Sequence, residues 1–128
     1  MRASILIVED DLGIVTLAKR VLQRDPELTV VETVRSGEEA IEVARAGRPD
    51  VVIMDLTLPG MDGLEATRRL KAERPVTKVI ILTGRRVEGP QRAAGESGAD
   101  AFLHKRNLLR DLLPTIQRVL GERTENGT

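Results

Sequence analysis

Three unbroken apolar runs stand out along the chain, at residues 5–8 (ILIV), 51–54 (VVIM) and 79–82 (VIIL). Polar or turn-forming residues bound each run, which is the pattern of strands that are buried on both faces of a sheet. A less apolar run at residues 28–34 predicts a strand at the edge of the sheet, and residues 100–104 predict a short fifth strand. Strands of this kind are typical of a parallel sheet covered by helices.

Helical periodicity fills the intervals between the runs. Apolar residues at positions 14, 17, 18, 21 and 22 recur at helical spacing and predict a helix with one face on the sheet. Ser36 is the predicted N-cap of the second helix, with Glu39 as its capping-box partner and Gly47 and Pro49 at its end.

The second half of the chain continues this alternation. A third helix is predicted over residues 64–73, and a last one over residues 108–120, closed by Gly121. Residues 85–97 contain two glycines and a proline and predict only a short fourth helix. Five βα units with right-handed crossovers predict an α/β, doubly wound, five-stranded parallel sheet of flavodoxin-like order 2-1-3-4-5. Residues 1–121 would form one domain, and residues 122–128 a polar C-terminal tail.

Composition excludes several classes of function. The 128 residues hold 20 Lys and Arg against 20 Asp and Glu, so no net charge would attract nucleic acid or an acidic membrane. The absence of cysteine excludes disulfides and thiol chemistry. The first apolar stretch, at residues 5–8, is too short for a signal peptide or a membrane span. A soluble cytoplasmic protein with neither nucleic acid nor membrane as partner is predicted.

Charged residues follow three of the predicted strands. Residues 9–11 (EDD) follow the first strand, Asp55 closes the third, and Lys105 follows the fifth. The carboxyl ends of parallel strands meet at one edge, and ligands bind where the strand order reverses, here between strands 1 and 3. Carboxylate oxygens are the ligands that Mg²⁺ prefers. Glu9, Asp10 and Asp55 therefore predict a site for Mg²⁺, or for Mn²⁺ in its place.

A carboxylate beside a metal is also able to act as a nucleophile toward phosphorus. Asp55 is the predicted acceptor, because phosphoryl transfer needs mainly positioning and positive charge, which the metal and Lys105 would supply. Thr83 would donate its hydroxyl to a phosphoryl oxygen, and Gly84 would leave room for that group. Taken singly, an acid after a strand is usually a helix N-cap and a lysine is usually a surface residue, so the prediction rests on their joint placement.

Four segments together resemble a known family. They are residues 5–11 (ILIVEDD), Asp55 with residues 58–63 (LPGMDG), residues 82–84 (LTG), and residues 97–105 (SGADAFLHK). Over residues 4–120 the chain resembles the receiver domains of two-component response regulators. The resemblance implies that Asp55 is the phosphoacceptor for a histidine kinase or a phosphotransfer protein. It also implies that Glu9, Asp10, Asp55 and the backbone carbonyl of Thr57 hold the metal.

The same resemblance implies roles for the residues around the acceptor. Thr83 and Phe102 would be the switch pair, and Lys105 the cation that binds the phosphoryl group. Thr57 and Arg85 would affect the lifetime of the phosphoryl group.

The resemblance also implies how the signal leaves the domain. The fourth helix, the fifth strand and the fifth helix would form a face that binds a downstream protein or a second copy of the chain. The protein is predicted not to be an enzyme beyond catalysing its own phosphorylation and dephosphorylation.

The chain departs from the family in the turn after the fifth strand, and two alternatives stay open. Arg106 stands where the family typically has a proline after the lysine, with a cis peptide between them. A cis bond costs about 3 kcal/mol without proline, so a trans peptide is predicted. The first alternative is a pseudo-receiver, a protein-interaction module that works without phosphorylation. The second, weaker alternative is a metal-dependent phosphatase similar to haloacid dehalogenases, which would need an aspartate where Thr57 stands.

His104 is predicted to be a strand residue without a metal.

Overall fold

The computed structural model describes residues 2–84, 92 and 95–127, with side chains as far as residue 121. Its strands are β1 (Ala3–Val8), β2 (Leu28–Val34), β3 (Val51–Asp55), β4 (Lys78–Thr83) and β5 (Ala101–His104). All of the strand pairs are parallel, and the order across the sheet is β2-β1-β3-β4-β5. The predicted doubly wound order is therefore confirmed.

The helices that cover the sheet are α1 (Leu12–Leu22), α2 (Gly37–Gly47), α3 (Gly63–Glu73) and α4 (Leu108–Gly127). A 3-10 turn, Lys105–Asn107, joins β5 to α4. Alternate side chains of the central strands face opposite layers. In β1, Ile5 and Ile7 pack with residues of α1 and α4, whereas Leu6 and Val8 pack with residues of α2 and α3. This two-sided burial explains why the central strands are apolar at every position.

The strand predicted for the sheet edge is confirmed as the edge strand β2. Its residues are half-buried or exposed except for Val34, at its end, which is buried. By contrast, all five residues of β3 are buried. A strand that is buried on one side requires fewer apolar residues than a strand that is buried on both. This is why β2 was recognisable in the sequence by its polar content.

The predicted capping box opens α2. Ser36 Oγ accepts a hydrogen bond from the backbone N–H of Glu39 at 3.2 Å, and it donates to Glu39 Oε1 at 3.0 Å. Asp11 and Asp62 cap α1 and α3 in the same way, since each accepts from backbone N–H groups of the first turn. Side-chain oxygens thus satisfy donors that a helix leaves unpaired at its start.

Replacement of the cap is expected to weaken the fold by a measurable amount. Ser36→Ala removes the acceptor for the Glu39 N–H, which costs about 1 kcal/mol of unfolding free energy. Ser36→Asn keeps a capping oxygen and serves as the matched control. Urea unfolding of the three proteins measures the difference, and equal midpoints for Ser36→Ala and the wild type would contradict the prediction.

The last helix differs from its prediction. The predicted end at Gly121 is wrong, because α4 continues through Gly121 to Gly127. A glycine inside a helix costs only about 1 kcal/mol, and glutamate and arginine, both good helix formers, follow it. The domain limit at residue 121 stays a prediction. Most of the predicted fourth helix, including Arg85, lies outside the described residues.

The peptide between Lys105 and Arg106 is trans, because no described residue has a cis peptide bond. The prediction made from the missing proline is therefore confirmed. Among the described residues, no helix combines the length and the apolar character that a membrane span needs.

Candidate functional site

Three carboxylates meet at the carboxyl end of the sheet. Glu9 and Asp10 follow β1, and Asp55 closes the adjacent β3. The register pairs Val8 with Met54, so Glu9 and Asp55 lie at the same level of neighbouring strands. One oxygen from each of Glu9, Asp10 and Asp55 lies within 4.8 Å of the others. The structure thus brings together the three acids that the sequence placed at this edge.

Lys105 reaches two of these acids from the turn after β5. Its Nζ lies 2.9 Å from Glu9 Oε1 and 3.5 Å from Asp55 Oδ2. Burial acts to lower the pKa of Lys105, but the contacts with Glu9 and Asp55 outweigh it, so the pKa is raised overall. The ammonium is therefore charged at neutral pH and sits between the two carboxylates.

Glu9 is the most buried acid of the group, with 1% of its surface exposed. Burial raises the pKa of its carboxyl to about 7, and the nearby Asp55 side chain adds to the rise. Lys105 and the backbone N–H of Asp11, which donates to Glu9 Oε2 at 3.2 Å, act in the opposite direction. Desolvation and repulsion therefore exceed the attraction of the single cation.

This shift predicts how the stability of the metal-free protein depends on pH. Between pH 4.5 and about 7 the folded protein keeps a proton on Glu9 that the unfolded chain releases, so the unfolding free energy falls as pH rises through this window. The fall attributable to Glu9 is expected to be about 1–3 kcal/mol between pH 5 and pH 8.

The side chain at position 9 cannot titrate in Glu9→Gln, so the unfolding free energy of this variant should fall less between pH 5 and pH 8. The variant should therefore be more stable than the wild type at pH 8. Urea unfolding in the presence of a chelator at both values of pH measures the effect. Parallel pH profiles for the two proteins would show that Glu9 titrates normally.

The donor set fits a hard divalent cation. Glu9 Oε1 is buried and has no hydrogen-bond partner among the described residues, although it forms an ion pair with Lys105 Nζ at 2.9 Å. Asp10 lies in the same oxygen cluster and is accessible to solvent. Carboxylate oxygens with access to water are what Mg²⁺ requires, because it keeps several waters when bound.

The acidic run after β1 divides into two parts. Asp11 Oδ1 accepts hydrogen bonds from the backbone N–H groups of Gly13 and Ile14, at 2.9 and 3.2 Å, and acts as the N-cap of α1. Only Glu9 and Asp10 join Asp55 in the cluster. On the other side, the backbone N–H of Thr57 donates to Asp55 Oδ1 at 3.2 Å and orients the carboxylate. The carbonyl of Thr57 as a metal ligand stays a prediction.

The other predicted site residues lie around this cluster. Thr83 is buried at the end of β4, the neighbour of β3. Gly84 is next to Lys105, since a Cβ built on Gly84 would lie 3.7 Å from Lys105 Cδ. Phe102, on β5, is partly buried and packs against the core on the side of α2 and α3. His104 Nδ1 accepts a hydrogen bond from the backbone N–H of Arg106 at 3.2 Å, which gives it a role in the turn.

Sequence reasoning missed one structural residue of the site. Gly63 begins α3 against the end of β3, where a Cβ would lie 2.1 Å from the carbonyl oxygen of Asp55. Only glycine permits this approach of helix and strand. The buried Thr67 donates its hydroxyl to the Gly63 carbonyl at 2.7 Å. The signal in the sequence was a glycine four residues before a threonine, a pattern too common to be noticed alone.

Comparison with known proteins places the chain among signalling proteins. It is 43% identical over 103 residues to protein-glutamate methylesterase/protein-glutamine glutaminase 4 of Myxococcus xanthus, covering 79% of this chain and 29% of that one. It is 32% identical over 121 residues to the nitrate/nitrite response regulator protein NarL of Escherichia coli, covering 94% and 56%. The structure matches a two-component response regulator of the LuxR family from Aurantimonas with a TM-score of 0.90 and 31% identity, covering 96% and 88%.

One prediction is corrected by these relatives. The protein was predicted not to be an enzyme, yet the Myxococcus relative is by its name an esterase and glutaminase. The prediction rested on the motifs of the matched stretch alone, and the chain spans only 29% of the length of that relative. Motifs of one domain do not reveal the activity of a protein that contains it.

A family model described as the response regulator receiver domain matches residues 5–117. The matched range contains β2 to β5, most of β1 and the first three helices, and it includes the acids after β1, Asp55 and Lys105. The chain therefore belongs to the receiver domains of response regulators.

Proposed function

We propose that Asp55 accepts a phosphoryl group from a histidine kinase or a phosphotransfer protein, with Mg²⁺ bound beside it. The observation that carries the proposal is the convergence of Glu9, Asp10 and Asp55 within 4.8 Å, with the Lys105 ammonium 3.5 Å from Asp55. A receiver that served only as a rigid docking module would have no need to hold like charges together at a cost in stability.

The transfer itself is a displacement at phosphorus. An oxygen of the Asp55 carboxylate attacks the phosphorus of a phosphohistidine, and the bond from phosphorus to the imidazole nitrogen breaks. The electron pair of that bond stays on the nitrogen, and an acyl phosphate forms on Asp55. The hydrogen bond from the Thr57 N–H to Asp55 Oδ1 leaves Oδ2, the oxygen nearer Lys105, as the favoured nucleophile.

The chain offers four oxygen ligands for the metal. Glu9, Asp10, Asp55 and the carbonyl of Thr57 would hold Mg²⁺, or Mn²⁺ in its place, and the ion would supply positive charge for the phosphoryl oxygens. A bound metal would also offset the burial and the repulsion from Asp55 that raise the pKa of Glu9.

The remaining site residues would bind and respond to the phosphoryl group. Lys105 would turn from Asp55 to a phosphoryl oxygen, and the Thr83 hydroxyl would donate to another. Gly84 would leave room for the group, and Phe102 would turn further into the core as Thr83 moves. Thr57 and Arg85 would set how fast water reaches the acyl phosphate.

The consequence would be a change in the face formed by β5, α4 and the predicted fourth helix. We propose that this face binds a downstream protein or a second copy of the chain, and that the protein acts in the cytoplasm. The pseudo-receiver remains the alternative, and it draws on Arg106 in place of proline. The contacts of Lys105 with Glu9 and Asp55 count against this alternative, because the lysine reaches both acids although the peptide after it is trans.

The proposal is tested by intact mass after incubation with acetyl phosphate and Mg²⁺. We expect a gain of one phosphoryl group per chain and no gain in the presence of a chelator. Reduction with borohydride converts an acyl phosphate to an alcohol, so peptide mapping should then find homoserine at position 55.

A folded protein that gains no mass with acetyl phosphate, nor with a panel of phosphorylated histidine kinases, would favour the pseudo-receiver. A gain that survives chelation, or that maps to another residue, would contradict the proposed site.

A further inference from the structure

A cavity lies on the far side of the molecule from the acids. Its volume is about 220 Å³, and its lining residues are Ala44, Arg45, Arg48, Leu70, Glu73 and Arg74. They belong to the last turns of α2 and α3 and to the residues that follow each helix. Since these helices lead into β3 and β4, the cavity lies at the amino-terminal edge of the sheet. We refer to it as the arginine cavity.

The arginine cavity combines an apolar floor with a charged rim. Ala44 and Leu70 are buried, with 3% and 2% of their surface exposed, and form the floor. The rim carries three guanidiniums and one carboxylate, which leaves a net charge of +2. A concave site of this kind, mostly apolar with a few convergent polar groups, is typical of small-ligand sites.

The rim already holds one carboxylate of the chain itself. Arg45 Nε donates to both oxygens of Glu73, each at 3.0 Å, and this contact holds the pKa of Glu73 below its ordinary value. Arg45 and Glu73 therefore neutralise one another. The net charge comes from Arg48 and Arg74.

These two guanidiniums keep donors available. Arg74 uses its Nε to donate to Thr77 Oγ1 at 3.1 Å, and no hydrogen bond or ion pair occupies its terminal nitrogens within the described residues. The guanidinium of Arg48 makes neither kind of contact with any residue that the structure describes. Both are thus free to bind an anion bidentately, as guanidinium groups do with phosphate and carboxylate.

The backbone of Arg48 gives a second, independent indication. Arg48 has φ of 45° and ends α2 in the left-handed region, the only described residue other than glycine with a positive φ. Glycine or asparagine usually takes this position at a helix end. Strain of this kind is typical of functional positions, because the side chain is then needed where it stands.

We propose that the arginine cavity binds a small organic phosphate as a dianion. Arg48 and Arg74 bind the phosphoryl oxygens, and the apolar part of the ligand lies against Ala44 and Leu70. The net charge of +2 matches the charge of a phosphomonoester near pH 7. The floor favours a phosphate with an apolar body over inorganic phosphate.

The volume and the overall charge favour a small molecule over a polymer. A cavity of about 220 Å³ is smaller than the usual range for drug-sized ligands and accommodates one ring or short chain beside the phosphate. Nucleic acid would need a longer basic track, and the chain as a whole has no net charge. The site is separate from Asp55, so its test does not depend on phosphorylation.

Phenyl phosphate is the probe for the first experiment. In metal-free buffer, we expect it to shift the backbone amide resonances of Ala44 and Leu70 in a saturable manner. Phenol and inorganic phosphate, each lacking one half of the ligand, should bind more weakly by about tenfold or more.

Arg48→Gly is the decisive variant, because glycine suits the left-handed backbone and should leave the thermal unfolding midpoint equal to or above that of the wild type. We expect it to weaken phenyl phosphate binding by about tenfold. Arg68→Met, on the exposed side of α3, is the matched control and should bind as the wild type does.

Four results would overturn the proposal. The first is the absence of shifts at Ala44 and Leu70 at millimolar probe, and the second is shifts confined to the residues around Asp55. The third is equal binding by Arg48→Gly and the wild type. Binding of benzoate as tightly as phenyl phosphate would show an unselective basic surface and would also contradict the proposed ligand class.

Discussion

Asp55→Asn is expected to take up no phosphoryl group from acetyl phosphate or from a phosphorylated kinase. The amide nitrogen and oxygen are poor nucleophiles toward phosphorus, so the acceptor chemistry is lost, although the side chain keeps its size. The backbone N–H of Thr57, which donates to Asp55 Oδ1 at 3.2 Å, would still find an acceptor in the amide oxygen. Intact mass after incubation with donor and Mg²⁺ measures the loss.

The control for this variant is Asp25→Asn. Asp25 Oδ1 accepts a hydrogen bond from the Glu27 N–H at 2.9 Å in a turn away from the site, and asparagine preserves that bond. Asp25→Asn should gain mass as the wild type does. Continued phosphorylation of Asp55→Asn would mean that another side chain, with Asp10 as the nearest exposed carboxylate, is the true acceptor.

Lys105→Met is expected to slow phosphorylation by a factor of about 10² to 10³, the usual cost of removing one group that stabilises developing negative charge in a transition state. Methionine keeps the length and apolar stem of lysine and removes only the cation. The ammonium lies 3.5 Å from Asp55 Oδ2 before transfer, so it is placed to contact a group bound there. The rate of mass gain at fixed acetyl phosphate and Mg²⁺ is the measurement.

Lys19→Met serves as the matched change, because Lys19 is exposed on α1 and contacts none of the three acids. Lys105→Arg keeps the charge and should recover part of the rate. If Lys105→Met reacted at the wild-type rate, the role of Lys105 would be limited to stabilising the unphosphorylated site through Glu9.

The sheet was predictable because its evidence is local in the sequence. Four consecutive apolar residues before Glu9, and again before Asp55, are typical of strands buried on both faces when polar or turn-forming residues bound them. Ser36 with Glu39 marked the start of α2 for the same reason, since a capping box lies within one turn. The convergence of Glu9, Asp10 and Asp55 followed from the order of the strands.

The contacts that depend on packing across the molecule were not predictable. Lys105 was predicted as the cation that binds the phosphoryl group. Its contact with Glu9, which the fold buries almost completely, was not predicted. Neither that burial nor the raised pKa of Glu9 has a local signature. The end of α4 was misplaced for a different reason: Gly121 is a helix breaker by propensity, and its weak preference was overridden by the residues around it.

The contact between Gly63 and the Asp55 carbonyl affects how the fold would respond to a group bound on Asp55. A Cβ on Gly63 would meet that carbonyl at 2.1 Å, whereas one on Gly84 would meet its nearest neighbour, Lys105, at an ordinary 3.7 Å. The backbone of Asp55 is therefore packed directly against the start of α3, whereas Gly84, at the end of β4, is less closely packed against Lys105. We expect a bulky group on Asp55 to displace the ends of β4 and β5 more readily than the start of α3, because α3 is in direct contact with the backbone of Asp55.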